Sequence, residues 1–293
     1  MRQIYMRLIY PVIDKKIIIL SLICFLFTPY FSSQTDSLKI LSWNVFLRPS
    51  VMKDSQMERV DSIAKFLIKS NADILVIQEL FHRRARKRIS KLLKNKYPYK
   101  TSKGPVSFLG VSSGVMIYSK MPMIQKKRIS FNIGKGSDKM AKKGAVKTTY
   151  KIKNKQIHVI GTHMQAGNKK EHKKIRRKQL KQIKKLVSNI DTSDLIIYAG
   201  DFNIKYKSKS FNYALSILNS QVSYPTGEID KTANFSDQDY FPAKGNPSWI
   251  DFIFIEKKKV KNIKTKIFEP RAWFKKKNSR ISDHNPIISI IKF

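Results

Sequence analysis

The chain has a single cysteine, Cys24, among 293 residues. It can form no internal disulfide, no Cys-based structural zinc site and no redox motif of paired thiols. Acidic residues are also scarce. Only 20 Asp+Glu stand against 59 Lys+Arg, a formal net charge of +39. Such an excess does not specify a fold, but it points to an anionic partner: nucleic acid, an acidic membrane surface or a phosphorylated substrate. Glycine and proline number 11 each and are dispersed, so neither a linker nor a repeat is visible. The apolar stretch from Ile17 to Phe31 is interrupted by Ser21, Thr28 and Pro29 and is shorter than the ~20 residues that span a bilayer. A hydrophobic fraction of 42% with 11% aromatics still suffices for a buried core, which excludes wholesale disorder.

The apolar stretch has a separate reading. Arg2, Arg7, Lys15 and Lys16 precede it and the small residues Ser32 and Ser33 follow, the order of a secretory signal peptide. Ile23 before Cys24 does not suit a lipoprotein site. The expected division is a signal at 1–33 and one exported domain at 34–293. Removing the signal takes away four basic residues and one acid, so 55 basic and 19 acidic side chains remain, or +36. The mature chain then holds no cysteine, which excludes a thiol nucleophile.

Seven short β-rich runs recur: Lys39–Trp43, Ile74–Ile77, Gly114–Tyr118, Ile157–Ile160, Leu195–Tyr198, Ile250–Ile255 and Ile287–Ile291. Between some of them lie helical patterns. Asp54–Ser70 puts Val60, Ile63, Ala64 and Leu67 on one face, and Lys169–Val187 puts Ile175, Leu180, Ile183, Leu186 and Val187 along one stripe. Interleaved strands and helices predict a layered α/β sandwich.

Polar residues cluster where these strands end. Trp43-Asn44 closes the first strand, Gln78-Glu79 the second, Gly161-Thr162-His163-Met164-Gln165 a third and Gly200-Asp201-Phe202-Asn203 a fourth. Ser282-Asp283-His284-Asn285-Pro286 precedes the last strand. Taken singly, each has an ordinary explanation: a turn asparagine, a solvated glutamate, a structural histidine, an Asx turn. Taken together, strand ends on one sheet edge converge in space, and this edge would gather histidines, carboxylates and amides.

In this order the segments resemble the endonuclease/exonuclease/phosphatase superfamily, over roughly residues 38 to 293. Within it the chain looks most like the neutral and bacterial sphingomyelinases. Three stretches carry that resemblance: Gly161-Thr162-His163-Met164-Gln165, the loop Asp138 to Gly144 with Asp138 and Lys143 five apart, and Ser113 to Pro122. The resemblance implies a four-layer α/β sandwich of two packed mixed β-sheets flanked by helices, DNase I-like. It implies a metal-dependent phosphodiesterase that splits sphingomyelin into ceramide and phosphocholine. Mg²⁺ is the expected cofactor, with Mn²⁺ or Co²⁺ as substitutes.

By the same analogy Glu79 is the principal metal ligand, with Asn44 beside it and Asp283 as a further metal or orienting group. His284 is the general base, Asp251 orients it, and Asp201 and Asn203 position water and phosphate. His163 donates to the phosphoryl oxygens or leaving group, and Lys143, paired with Asp138, adds positive charge. The implied partner is a membrane sphingolipid, met by a monomer. The long aromatic hairpin of haemolytic relatives is replaced here by the short basic segment Glu269–Arg280, in which Trp273 and Phe274 either touch lipid or pack as an ordinary aromatic pair.

Three dense basic runs remain. His82–Lys100 holds nine Lys/Arg, Lys169–Lys185 ten and Glu256–Arg280 eleven. The middle run reads as the solvated face of a helix, whereas the first and third, next to Glu79 and His284 in sequence, are expected to border the site. They would favour an anionic membrane surface. Phosphate-backbone affinity keeps a secreted Mg-dependent nuclease of the same fold as the alternative.

Overall fold

The parallel pairing of two buried strands sets the frame of the molecule. β1 (Ser37–Leu47) lies beside β2 (Ile74–Leu80), with Asn44 opposite Gln78. A computed structural model gives the architecture and describes residues 37–104, 112–234, 245–257, 259–274 and 277–292. The expected signal at 1–33 lies outside the described residues.

Both strands are apolar on both faces, and the two faces go to different places. Ile40, Ile74 and Val76 pack into the core shared with the second sheet, while Leu41, Trp43, Leu75 and Ile77 pack against the helices α1 (Gln56–Ser70) and α2 (Arg83–Leu93). This double burial explains the near-continuous hydrophobic runs of these strands.

The first sheet has six strands. β11 (Asn262–Ile267), β14 (Ile287–Lys292), β1, β2, β4 (Met116–Ser119) and β3 (Tyr99–Lys100) follow in that order. The second also has six: β5 (Gln125–Ser130), β6 (Gly144–Ile152), β7 (Lys155–His163), β8 (Leu195–Asp201), β10 (Asp251–Glu256) and β9 (Ser220–Gln221). Its outer face is covered by α4 (Lys170–Leu186) and α5 (Lys209–Ile217) through Leu180, Ile183, Phe211 and Ala214. A short helical turn, α3 (Ser137–Met140), precedes β6. The layers are therefore helix, sheet, sheet, helix, the four-layer sandwich expected. Gly161 sits where the sheets meet. A Cβ there would lie 2.8 Å from Val76 Cγ1.

All seven expected strands and both expected helices are present. Seven described strands were not expected: four short ones, β3, β9, β12 and β13, and three longer, lysine-bearing ones, QKKRIS in β5, GAVKTTYKI in β6 and NIKTKI in β11. β5 and β11 lie at sheet edges, where lysine-rich faces meet solvent. The segment Glu269–Arg280 does form a hairpin, β12 (Arg271–Phe274) with β13 (Lys277–Arg280). Trp273 on it is 75% exposed, so it is not part of a packed pair. Buried Arg280 anchors the base of this ribbon to Glu269 and to Asn285 Oδ1.

Candidate active site

Strand register brings the polar ends together. The parallel β7/β8 pair sets His163 opposite Asp201, and the antiparallel β8/β10 pair sets Asp251 opposite Asp201. Two carboxylates directly across a ladder repel one another. Here both are buried, and burial together with the Asp251 charge pushes the Asp201 carboxyl up to about 7. Such an arrangement marks a site rather than a scaffold.

His284 faces these two carboxylates. Its Nδ1 is 2.8 Å from Asp251 Oδ2 and its Nε2 3.8 Å from Asp201 Oδ2. The Asp251 contact puts the proton on Nδ1 and turns Nε2 towards the cleft. Burial opposes a charge on the ring, but Asp251, Asp283 and Asp201 outweigh it and raise its pKa well above the ordinary histidine value. The Asp283 carboxyl is itself raised to about 6, chiefly by burial, with the His284 charge working against the shift and Glu79 adding to it.

The segment carrying Asp283 and His284 is tied to the rest by contacts of very long sequence separation. Trp43 Nε1 donates to His284 O at 2.8 Å and Ser282 Oγ donates to Asn44 O at 2.7 Å. Arg59, fully buried, donates to Val45 O, Phe46 O and Ile281 O. Thr232 Oγ1 accepts from the backbone N–H of both Ile250 and Asp251. Arg59 and Thr232 escaped the sequence reading, because nothing local distinguishes them from a surface arginine on a helix and a loop threonine.

Glu79 occupies the left-handed region, with φ 54°, as do Asn203 at 53° and Phe46 at 49°. A non-glycine residue there stores strain, and three of them around one cleft point to function. Asn44 Oδ1 accepts from Phe46 N, which leaves its Nδ2 to donate to Glu79 Oε1 at 3.1 Å and Asp201 Oδ2 at 3.2 Å. Asn44 thus sits beside Glu79 as expected, but it presents its nitrogen there and holds the carboxylate. Asn203 donates its backbone N–H to Asp201 Oδ1 and its Nδ2 to Met164 O.

His163 and Lys143 form a second group. Lys143 Nζ is 2.7 Å from His163 Nε2, 2.8 Å from Asp138 Oδ1 and 2.9 Å from Met164 O. An ammonium only donates, so His163 Nε2 accepts and cannot donate towards the cleft in this arrangement. Burial, with Lys143 beside it, drives the His163 pKa well below the ordinary value and keeps the ring neutral. Asp138 is held in turn by Gln165 Nε2 at 2.8 Å and by Ala166 N at 2.6 Å. The Gln165 and Asp138–Lys143 features, far apart in the chain, are one connected network.

A cleft of about 470 Å³ opens over these groups. Glu79, Asp138, Lys143, His163, Asp201, Asn203, Asp283 and His284 line it. Every expected site residue borders this cleft except Asn44 and Asp251, which are fully buried just beneath it. Its apolar lining includes Phe46, Met52, Phe81, Met140 and Ile250, of which Met52 and Met140 are exposed. Among the described residues, no lining residue comes from the basic segments 82–100 or 256–280, which corrects the expectation that they border the site. Two of the α2 cations are engaged by other groups: Arg86 donates to Leu80 O and Phe81 O, and Arg88 pairs with Asp61.

The donor set suits a hard divalent cation. Glu79, Asp201 and Asp283 supply oxygen ligands to one cleft, and Asp201 and Asp283 are held at a cost in charge that a cation would relieve. The tightest group of potential ligands among the described residues is Asp201, Asp251 and His284, whose donor atoms lie within 4.8 Å of one another.

The chain is similar to known proteins over most of its length. A sphingomyelinase C from Listeria ivanovii is 28% identical over 95% of this chain and 95% of its own. A phospholipase C from Staphylococcus aureus is 28% identical over 85% of this chain and 86% of its own. The crystal structure of a beta toxin variant from Staphylococcus aureus with bound magnesium ions superposes with a TM-score of 0.76, at 27% identity, over 86% of this chain and 99% of that one. The family model described as Endonuclease/Exonuclease/phosphatase family matches residues 41–284, from the strand that carries Asn44 to the histidine that meets Asp251, and the chain belongs to that family.

Proposed function

We propose that the protein is a secreted, metal-dependent phosphodiesterase that hydrolyses sphingomyelin to ceramide and phosphocholine, acting as a monomer. The observation that carries this reading is the buried Asp251–His284 pair, whose free ring nitrogen opens into a cleft floored by carboxylates and walled by apolar side chains. The similarity to sphingomyelinases over nearly the whole chain supports the substrate.

Attack on the phosphodiester needs an activated water, charge stabilisation at phosphorus and help for the departing alkoxide. In its neutral form His284 Nε2 takes the proton from the water, while Asp251 holds the ring and stabilises the resulting imidazolium, so activity should rise with pH as His284 loses its proton. Asp201 Oδ2, 3.8 Å from Nε2, fixes where that water sits. Lys143, whose three ammonium hydrogens go to His163 Nε2, Asp138 Oδ1 and Met164 O, adds positive charge beside the phosphate position. Glu79 and Asp283 would hold the cation, which neutralises phosphate and leaving-group charge. Mg²⁺ fits these oxygen donors, and Mn²⁺ or Co²⁺ would substitute.

The test sets two substrates side by side. The residue 34–293 protein is incubated with sphingomyelin in detergent micelles or with plasmid DNA, with Mg²⁺ and then with EDTA. Phosphocholine release that EDTA abolishes, with the plasmid intact, is the expected result. Plasmid nicking with sphingomyelin untouched would establish the nuclease instead.

A further inference from the structure

The geometry points to a second binding site on this molecule: a cationic groove between α4 and α5 that takes the phosphate groups of anionic phospholipids beside the substrate. This inference rests on the lipid-hydrolase reading above.

The groove measures about 630 Å³ and is lined by Lys170, Lys173, Lys174, Arg177, Lys205 and Lys209, with no carboxylate among its described lining residues. All six side chains belong to exposed residues. So many like charges around one concavity repel one another until an anion enters. The N-terminal ends of both helices border it, at Lys170 for α4 and at Ser208 to Ser210 for α5, and each adds partial positive charge. The nearest acid of α4, Glu171, is turned to Lys135 and His172.

The groove adjoins the reaction cleft. A depression of about 430 Å³ lies between them; it shares Asn168, Asn203 and Lys205 with the groove. It shares Ala166, Asn203 and Ile250 with the cleft. Asn203 therefore lines all three. The run Lys169–Lys185, which reads in sequence as a mere solvated helix face, is the basic run that reaches the site's border.

The cleft's own mouth identifies the partner. Met52 and Met140, which line the cleft, are each 46% exposed, and Val51, next to Met52 in the chain, is 79% exposed. The cations at that mouth are already neutralised, Arg48 by Asp54 and Lys143 by Asp138. A nucleic acid laid from groove to cleft would meet exposed methionines and, among the described lining residues of the cleft, no cation without a carboxylate partner. A bilayer would place acyl chains against the rim and acidic head groups in the groove.

Vesicle assays separate the outcomes. Initial rates are measured on sphingomyelin vesicles with and without phosphatidylserine, for the wild type and for Lys173→Glu/Lys174→Glu/Lys209→Glu. The wild type should gain about fivefold or more from phosphatidylserine, a gain that raised salt removes. The triple variant should lose that gain and keep the wild-type rate on neutral detergent-dispersed sphingomyelin, which also shows that it is folded. Equal wild-type rates on both vesicles, or a variant that keeps the gain, would overturn the assignment. So would groove-dependent binding of duplex DNA without binding to phosphatidylserine vesicles. Absence of any phosphocholine release by the wild type from neutral micelles would instead sink the underlying activity.

Discussion

Asp251 is the residue on which the chemistry turns most sharply, although it never reaches the cleft. One of its oxygens holds His284 Nδ1 at 2.8 Å, and the other is buried without a hydrogen-bond partner. Asp251→Asn keeps the shape but removes the charge that sets the ring's tautomer. We expect kcat to fall by about two to four orders of magnitude with KM little changed, and His284→Ala to fall as far. Steady-state kinetics on detergent-dispersed sphingomyelin checks both, and a His284→Ala enzyme with full activity would remove the base from the mechanism. The Lys143 network predicts a different signature. Asp138→Asn leaves Lys143 without its counter-charge and Gln165 with a poorer acceptor, so kcat should drop by about tenfold or more while the thermal midpoint moves little, since Asp138 lies at the cleft edge. Calorimetry beside kinetics decides whether the effect is catalytic or structural. At this scale the sequence was largely legible. Asn44, Glu79, His163, Asp201 and His284 stand at strand ends in recognisable short motifs. Arg59 and Thr232 were not, because their partners lie across the fold, up to 222 residues away for Arg59.

Elements succeed or fail by how much apolar surface their two faces show. β1, β2, β7 and β8 are buried on both sides and announce themselves as hydrophobic runs. β5 and β11 carry lysine on faces turned to solvent, and β6, although buried, interleaves Lys147, Thr148 and Thr149 with its apolar residues, so none of the three shows a clear apolar pattern. One glycine shows how tightly the central strands are set. Gly200 in β8 has φ 156°, and a Cβ there would lie 2.0 Å from Thr162 O on the neighbouring strand. That oxygen belongs to the backbone and cannot move aside alone. Gly200→Ala should therefore destabilise the fold by about 3 kcal/mol or more and displace Asp201, the next residue. Chemical denaturation measures the loss, and a variant of wild-type stability would mean that β7 and β8 pair more loosely than their register indicates.

The whole molecule gives the charge a location. A net +39 is compatible with nucleic acid, membrane or substrate, and position along the chain misleads about which basic run matters. The runs adjacent in sequence to Glu79 and His284 are carried away by α2 and by the β12/β13 ribbon. The run that seemed remote returns, because β7 and β8 pair in parallel and α4, which connects them, begins just beyond His163. Topology decides this, and topology is a property of pairings far apart in sequence. In the proposed reaction a His284-activated water attacks phosphorus and expels ceramide. Mass spectrometry of the products formed in heavy-oxygen water tests it directly. The expected result is one heavy oxygen in phosphocholine, none in ceramide, and no products when EDTA is present. Heavy oxygen in ceramide, or release that survives EDTA, would contradict it.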